Sequence, residues 1–113
     1  MCLDTCHLFA AGYDIRTPAR LAVTLAAFDR AVGLDRVAAC HLNDAKAPLG
    51  SGLDRHQHIG RGEIGPAAFR ALLRHSRLHR VPMVLETPKA DAWDTRNLAT
   101  LRRLRAARPR TRR

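Results

Sequence analysis

The stretch Arg36-Val37-Ala38-Ala39-Cys40-His41-Leu42 is a short apolar run with one imidazole near its end. It is too brief for a helix, and it lacks the polar alternation of a strand that is wet on one face, so it reads as a strand of a buried parallel sheet. A helix precedes it. Thr17-Pro18 supplies a hydroxyl cap followed by proline at the first helical position. Leu21, Val23, Leu25, Phe28 and Val32 follow at roughly helical spacing, and Gly33 marks the end. Upstream, Met1 to Leu3 reads as the tail of a strand, with a loop beginning at Asp4. Downstream, residues 43–64 form a long loop rich in Gly, Asp and His. Pro66 opens a second helix with Phe69, Leu72 and Leu73 inward, and Pro82 to Leu85 is a third strand closed by Thr87-Pro88. Asp91 or Asp94 is placed to cap a last helix through Leu98, Leu101 and Leu104. The order β-α-β-α-β-α predicts an α/β chain with parallel strands joined by crossover helices. Three such units are too few to close a barrel, so the reading is of a segment cut from something larger.

The chain has 113 residues, 46% of them hydrophobic, which suits one small globular domain. No stretch of about 18 apolar residues is present, so no membrane span is expected. Nor does the start carry a basic segment followed by an apolar one, so no signal peptide is expected. Twenty Lys and Arg against ten acids give a net charge of +10, and the isoelectric point is near 11.3. That balance favours a polyanionic partner, nucleic acid first, although a GC-rich genome produces the same Arg and Ala bias. The odd cysteine count (Cys2, Cys6 and Cys40) fits reduced thiols in a cytoplasmic setting. Cys2 and Cys6 have the spacing of a thiolate pair, but read more simply as small buried hydrophobes.

The polar residues gather on one side of this plan. Asp4 and His7 follow the first strand, His41 ends the second, Asp54 and His56 sit in the long loop, and Glu86 follows the third. All fall at carboxyl ends of parallel strands, where α/β barrels build active sites. Carboxylates with imidazoles make open zinc sites that leave room for water. Each also has a plainer reading: Asp4-x-x-His7 as a cap, His41 as a satisfied buried histidine, Asp54-Arg55-His56 as a salt-bridged turn. Glu86, at the end of an apolar strand, needs a cation or hydrogen-bond partner. Gly50, Gly52, Gly60, Gly62 and Gly65 imply a backbone that approaches a ligand closely, or a flexible surface loop. His58 is a further residue able to face the site. His75 and His79 read as surface residues.

Cys2-Leu3-Asp4-Thr5-Cys6-His7 with the following Leu8–Asp14 resembles the endonuclease IV family of zinc-dependent abasic-site endonucleases. So do His41-Leu42-Asn43-Asp44-Ala45-Lys46 with Gly50-Ser51 and Asp54-Arg55-His56, Ile59-Gly60-x-Gly62-x-Ile64-Gly65, and Leu85-Glu86-Thr87-Pro88. The motifs occur in order at matching spacing and span residues 1–104. The resemblance implies the last three βα units of an eight-stranded TIM-type barrel; residues 105–113 fall outside it and read as an Arg-rich, disordered tail. It implies up to three zinc ions. His7, Asp54 and His56 would hold one zinc, and Asp4, His41 and Glu86 a second, so ligands for about two are present. The second zinc's bridging glutamate and the two histidines of a third zinc would lie in the amino-terminal part of the barrel, outside this chain. Arg55, Asn43 and Lys46 are candidates for a DNA phosphate contact or for supporting the ligands.

The activity implied is DNA repair: metal-assisted hydrolysis on the 5′ side of an abasic site in double-stranded DNA, leaving a 3′-hydroxyl, in the cytoplasm or on the nucleoid. The chain would then be one part of a longer enzyme and inactive alone, or a product that rebuilds a barrel with another copy or a partner. It could also be a non-catalytic remnant that binds zinc and DNA. A metal-dependent sugar isomerase or epimerase barrel uses similar ligands, but the glycine-flanked Asp54-Arg55-His56 loop fits the nuclease better. His and carboxylate ligands accept manganese as well as zinc. The basic tail reads as an arm on DNA or as a frayed end.

Overall fold

The computed structural model describes residues 1–89 and 92–106. Three parallel strands form its sheet: β1 (Cys2–Asp4), β2 (Ala39–Leu42) and β5 (Met83–Leu85), in the order β1-β2-β5. A two-residue antiparallel ladder, β3 (Asp44–Ala45) with β4 (His56–Gln57), rises from the loop after β2. Four α-helices lie among the described residues: α1 (Thr5–Ala10), α2 (Pro18–Ala31), α3 (Pro66–Leu73) and α4 (Trp93–Ala106). Parallel neighbours require crossovers, and α2 and α3 provide them. Side chains alternate across a sheet. Leu3, Cys40 and Leu42 are buried and join Leu21, Leu25, Phe69, Leu72 and Leu101 in one core. The register pairs Asp4 with His41 and His41 with Val84, which puts Cys2, Asp4, Ala39, His41 and Val84 on the opposite face. That face is open: Val84 is 45% exposed although its strand is short and apolar.

The strand and helix order follows the expectation, with local differences. Asp4 is the last residue of β1, and the residues after it form α1 instead of a loop. The Asp4 carboxylate accepts the His7 amide at 3.1 Å, capping the helix that follows it. In α2, Thr17 caps through the Arg20 amide and Pro18 sits in the first turn, as the sequence indicates. Val23, however, is 70% exposed. Two residues of helix turn it about 200° away from Leu21, and Thr24 takes the inner position, its hydroxyl donating to the Asp14 carbonyl. A 3-10 turn over Leu34–Arg36 delays β2 until Ala39. Helix α4 begins at Trp93, so Asp94 lies inside its first turn and pairs with Lys89 at 3.1 Å instead of capping. Asp91 lies outside the described residues. α4 continues through Arg105 and Ala106; the remainder of the basic tail, residues 107–113, is likewise outside them.

The stretch from 43 to 64 is held by Asp44. Its buried carboxylate accepts amides from Ala45 and Ile64 at 2.8 Å, Gly60 at 3.0 Å and Gly65 at 3.3 Å. Gly62 passes so close that a Cβ there would meet the Ala45 carbonyl and stand 2.6 Å from the Asp44 carboxylate. The close approach that this glycine permits is therefore to backbone and to Asp44.

Candidate metal centre

Three carboxylates and three imidazoles converge at the carboxyl ends of the strands. Asp4 and His41 are register neighbours on the open sheet face. Glu86 lies two residues beyond Val84, so alternation returns it to the same face. The Asp4 cap turns the chain into α1 and brings His7 one helical turn onward. The β3–β4 ladder folds the long loop back so that His56 reaches the group, with Asp54 two residues before it.

The contacts form a chain. His41 Nδ1 lies 2.7 Å from Glu86 Oε1 and 3.7 Å from Asp4 Oδ2. His56 Nε2 lies 3.9 Å from Asp4 Oδ2 and 3.3 Å from Asp54 Oδ1. His7 Nδ1 lies 3.6 Å from Asp54 Oδ2. Asp4 and His56 are the best covered of these side chains, and His7 is the most open, at 70%. His7, Asp54 and His56 are thus linked through Asp54, and Asp4, His41 and Glu86 through His41. Among the described residues, two three-residue groups have ligand atoms within 4.8 Å of one another, Asp4–His56–Glu86 and Cys6–Asp54–His56. His56 belongs to both.

The orientation of His56 tests whether a cation fits. Its Nδ1 lies 2.7 Å from the Glu86 carbonyl oxygen, and a carbonyl only accepts, so Nδ1 carries a proton. Nε2 is thereby turned toward two carboxylates, a position at which either a proton on that nitrogen or a cation bound between the three groups supplies the positive charge. Metal-binding histidines are commonly held by such a carbonyl bond through the other nitrogen. The donor set and its orientation fit a divalent cation. The thiol of the second group belongs to Cys6. Burial, with Asp54 hydrogen-bonded beside it, pushes its thiol up to about 12, and its S–H contacts the Arg55 carbonyl at 3.3 Å. Cys40 is pushed up to about 11 by burial.

The other candidates separate. Asn43 is fully buried, and its Oδ1 accepts the Glu86 amide at 2.8 Å, so its contact is with the ligand-bearing backbone. Arg55 and Lys46 are exposed, joined by a bond from the Lys46 amide to the Arg55 carbonyl. His58 turns from the centre and stacks on Trp93, with ring centroids 3.8 Å apart. Burial, then Arg61 and Lys46, hold its imidazole below the ordinary range. His79 is exposed and His75 half-buried. Sequence reasoning missed Thr5, Thr87 and Asn97, all buried. The Asn97 amide donates to Thr87 Oγ1 at 2.9 Å, and its oxygen accepts the Ile59 amide. Small polar residues of this kind carry no periodic signal in a sequence.

The profile of the xylose isomerase-like TIM barrel family matches residues 1–107. A probable endonuclease 4 of Chlorobium limicola is 59% identical over 93 residues, covering 82% of this chain and 32% of that protein. Its counterpart in Chloroflexus aggregans is 55% identical, covering 92% of this chain and 37% of that protein. The crystal structure of endonuclease IV from Thermus thermophilus superposes with a TM-score of 0.81 at 43% identity, covering 91% of this chain and 37% of that one. The chain therefore spans about a third of the length of the curated relatives it matches. With its parallel sheet, its crossover helices and its polar centre at the strands' carboxyl ends, the chain belongs to the xylose isomerase-like TIM barrel family, and within that family its resemblance is to the endonuclease IV enzymes.

Proposed function

We propose that this chain supplies the zinc-binding, carboxyl-terminal part of an abasic-site DNA endonuclease, and that it works in DNA repair as part of a larger assembly or longer protein. The observation that carries the reading is His56, whose Nε2 faces Asp4 and Asp54 while the Glu86 carbonyl holds its other nitrogen. His7, Asp54 and His56 would hold one zinc, and Asp4, His41 and Glu86 the second. Bound there, zinc supplies a hydroxide at near-neutral pH and stabilises negative charge on the phosphate.

The chain's own residues do the rest. The carboxylates and imidazoles converge, among the described residues, without a Lys or Arg between them, leaving the open sheet face free for substrate. Asp4 holds the first turn of α1 and so the position of His7. Exposed Arg55, beside both Asp54 and His56, is suited to meet a backbone phosphate, and Lys46 offers a second charge nearby. The excess of positive charge favours duplex DNA as the partner.

A chimera tests the whole reading. This chain would replace the corresponding third of the Thermus thermophilus endonuclease IV, and the product would be assayed on an end-labelled duplex with one abasic site, with a chelator control. Incision on the 5′ side that the chelator abolishes is expected. The isolated chain is expected to hold zinc and leave the duplex intact. A folded, zinc-loaded chimera that does not incise would overturn the assignment.

A further inference from the structure

The metal ligands sit on four separate segments, and something must fix the spacing between them. The sheet ladders do so only in part: they set Asp4 against His41 and His56 against Ala45, but stop short of Glu86. The last register pairs are Asp4 with His41 and Leu42 with Leu85. Glu86 is past the end of β5, and Asp4 is the last residue of β1.

Two buried side chains continue the pairing. The Thr5 hydroxyl accepts the Asn43 amide at 2.9 Å and donates to the Asn43 carbonyl at 2.6 Å. It thereby ties the residue after Asp4 to the residue two beyond His41. Asn43 Oδ1 then accepts the Glu86 amide at 2.8 Å, and the Glu86 carbonyl accepts from His56 Nδ1 at 2.7 Å. Thr5 and Asn43 are 3% and 0% exposed, so water does not compete for these bonds. The result is one relay, Thr5–Asn43–Glu86–His56, that runs from the end of β1 past β2 and β5 to β4.

We propose that Thr5 and Asn43 are positioning residues of the metal centre, setting its affinity by fixing the backbone from which Asp4, His41, Glu86 and His56 depart. Neither side chain is itself placed among the ligands. Residues that hold ligands in this way typically alter metal affinity about 10–100-fold when removed. The chemistry distinguishes the role from mere packing. Valine is close to threonine in volume but lacks the hydroxyl, whereas serine keeps the hydroxyl and loses a methyl. A packing role predicts that serine is the worse substitute; the relay predicts that valine is.

The inference rests on the metal-centre reading. The test is cobalt(II) titration of the full chain, followed by visible absorption, for the unaltered protein and for Thr5→Val, Thr5→Ser and Asn43→Leu, with circular dichroism recorded in parallel. Thr5→Val and Asn43→Leu are expected to weaken cobalt binding roughly tenfold or more and to change the absorption band, and Thr5→Ser to stay within about twofold of the unaltered chain. Should Asn43→Leu fail to fold, the valine–serine comparison decides. Equal affinity for valine and serine variants, or a greater loss with serine, would overturn the relay while leaving the metal centre standing. No cobalt uptake by the unaltered chain would overturn both.

Discussion

At the scale of single residues, His56 joins two groups of ligand atoms. Asp54 and His7 lie on one side of it and Asp4 and Glu86 on the other. Glu86 acts twice, through its carboxylate on His41 and through its carbonyl on His56. Side-chain removal separates these roles. Glu86→Ala and His41→Ala keep the Glu86 carbonyl, so each is expected to weaken one of two bound metals and spare the other. His56→Ala removes a ligand of the other metal and is expected to do the reverse, weakening that one and sparing the metal at Asp4, His41 and Glu86. Metal content per chain, measured after dialysis against trace zinc, checks the difference. Unchanged content in all three variants would mean that these side chains do not bind metal.

At the scale of elements, the amino end of α2 is held by Asp14. Its carboxylate accepts from Arg16 at 2.9 Å through two nitrogens and lies 3.7 Å from Arg20, while its carbonyl accepts from Thr24 inside α2. The Arg16 hydrogen bonds hold the Asp14 carboxyl well below the ordinary 3.8, at about 2. Because the folded state binds this proton less readily than the unfolded chain, the clasp stabilises fully above a pH of about 4 and is lost as pH falls through about 2. Pairs near the surface contribute modestly, because water and salt screen them. Asp14→Asn should therefore lower the melting temperature by a few degrees at neutral pH, and the gap to the unaltered chain should close near pH of about 2. A gap independent of pH in thermal melts would assign the effect to something other than this charge.

Much of this scale was legible in the sequence. Thr17-Pro18, Pro66 and the apolar run ending at Leu42 announce their elements through capping chemistry and periodicity, which act locally. Helix α1 was not legible, because Cys6, Leu8 and Phe9 give too short a pattern and its stabilising cap, Asp4, doubles as a candidate ligand. The β3–β4 ladder was hidden for another reason: its two-residue strands have no periodicity, and Asp44 and Gly62 shape it by distant contacts.

At the scale of the whole molecule, the sheet has two edge strands, β1 and β5, each paired only with β2 among the described residues. Its site-bearing face is uncovered, and beside β5 a groove is lined by Leu73, Val81, Met83, Leu85 and Leu98. Parallel sheets are normally covered on both faces, and open edges recruit other strands. The isolated chain is therefore expected to self-associate as its concentration rises, and a Val84→Lys variant on the open face to do so less. Light scattering coupled to size exclusion measures this. A monodisperse monomer across the accessible concentrations would show that the open face and edges are tolerated in water, and would rule out barrel completion by a second copy.

The sequence alone determined the α/β order, the family resemblance and the six candidate ligands, because element propensities and motif spacings are written in neighbouring residues. Only the tertiary structure decided how those ligands stand to one another. It showed His56 turned by the Glu86 carbonyl, Asn43 buried and bonded to the Glu86 amide, and His58 stacked on Trp93 away from the centre. The first two are contacts between residues 30 and 43 positions apart in the chain, and the third joins the long loop to the last helix. Their direction is fixed by sheet register and by burial of polar groups, and neither exists until the chain has folded.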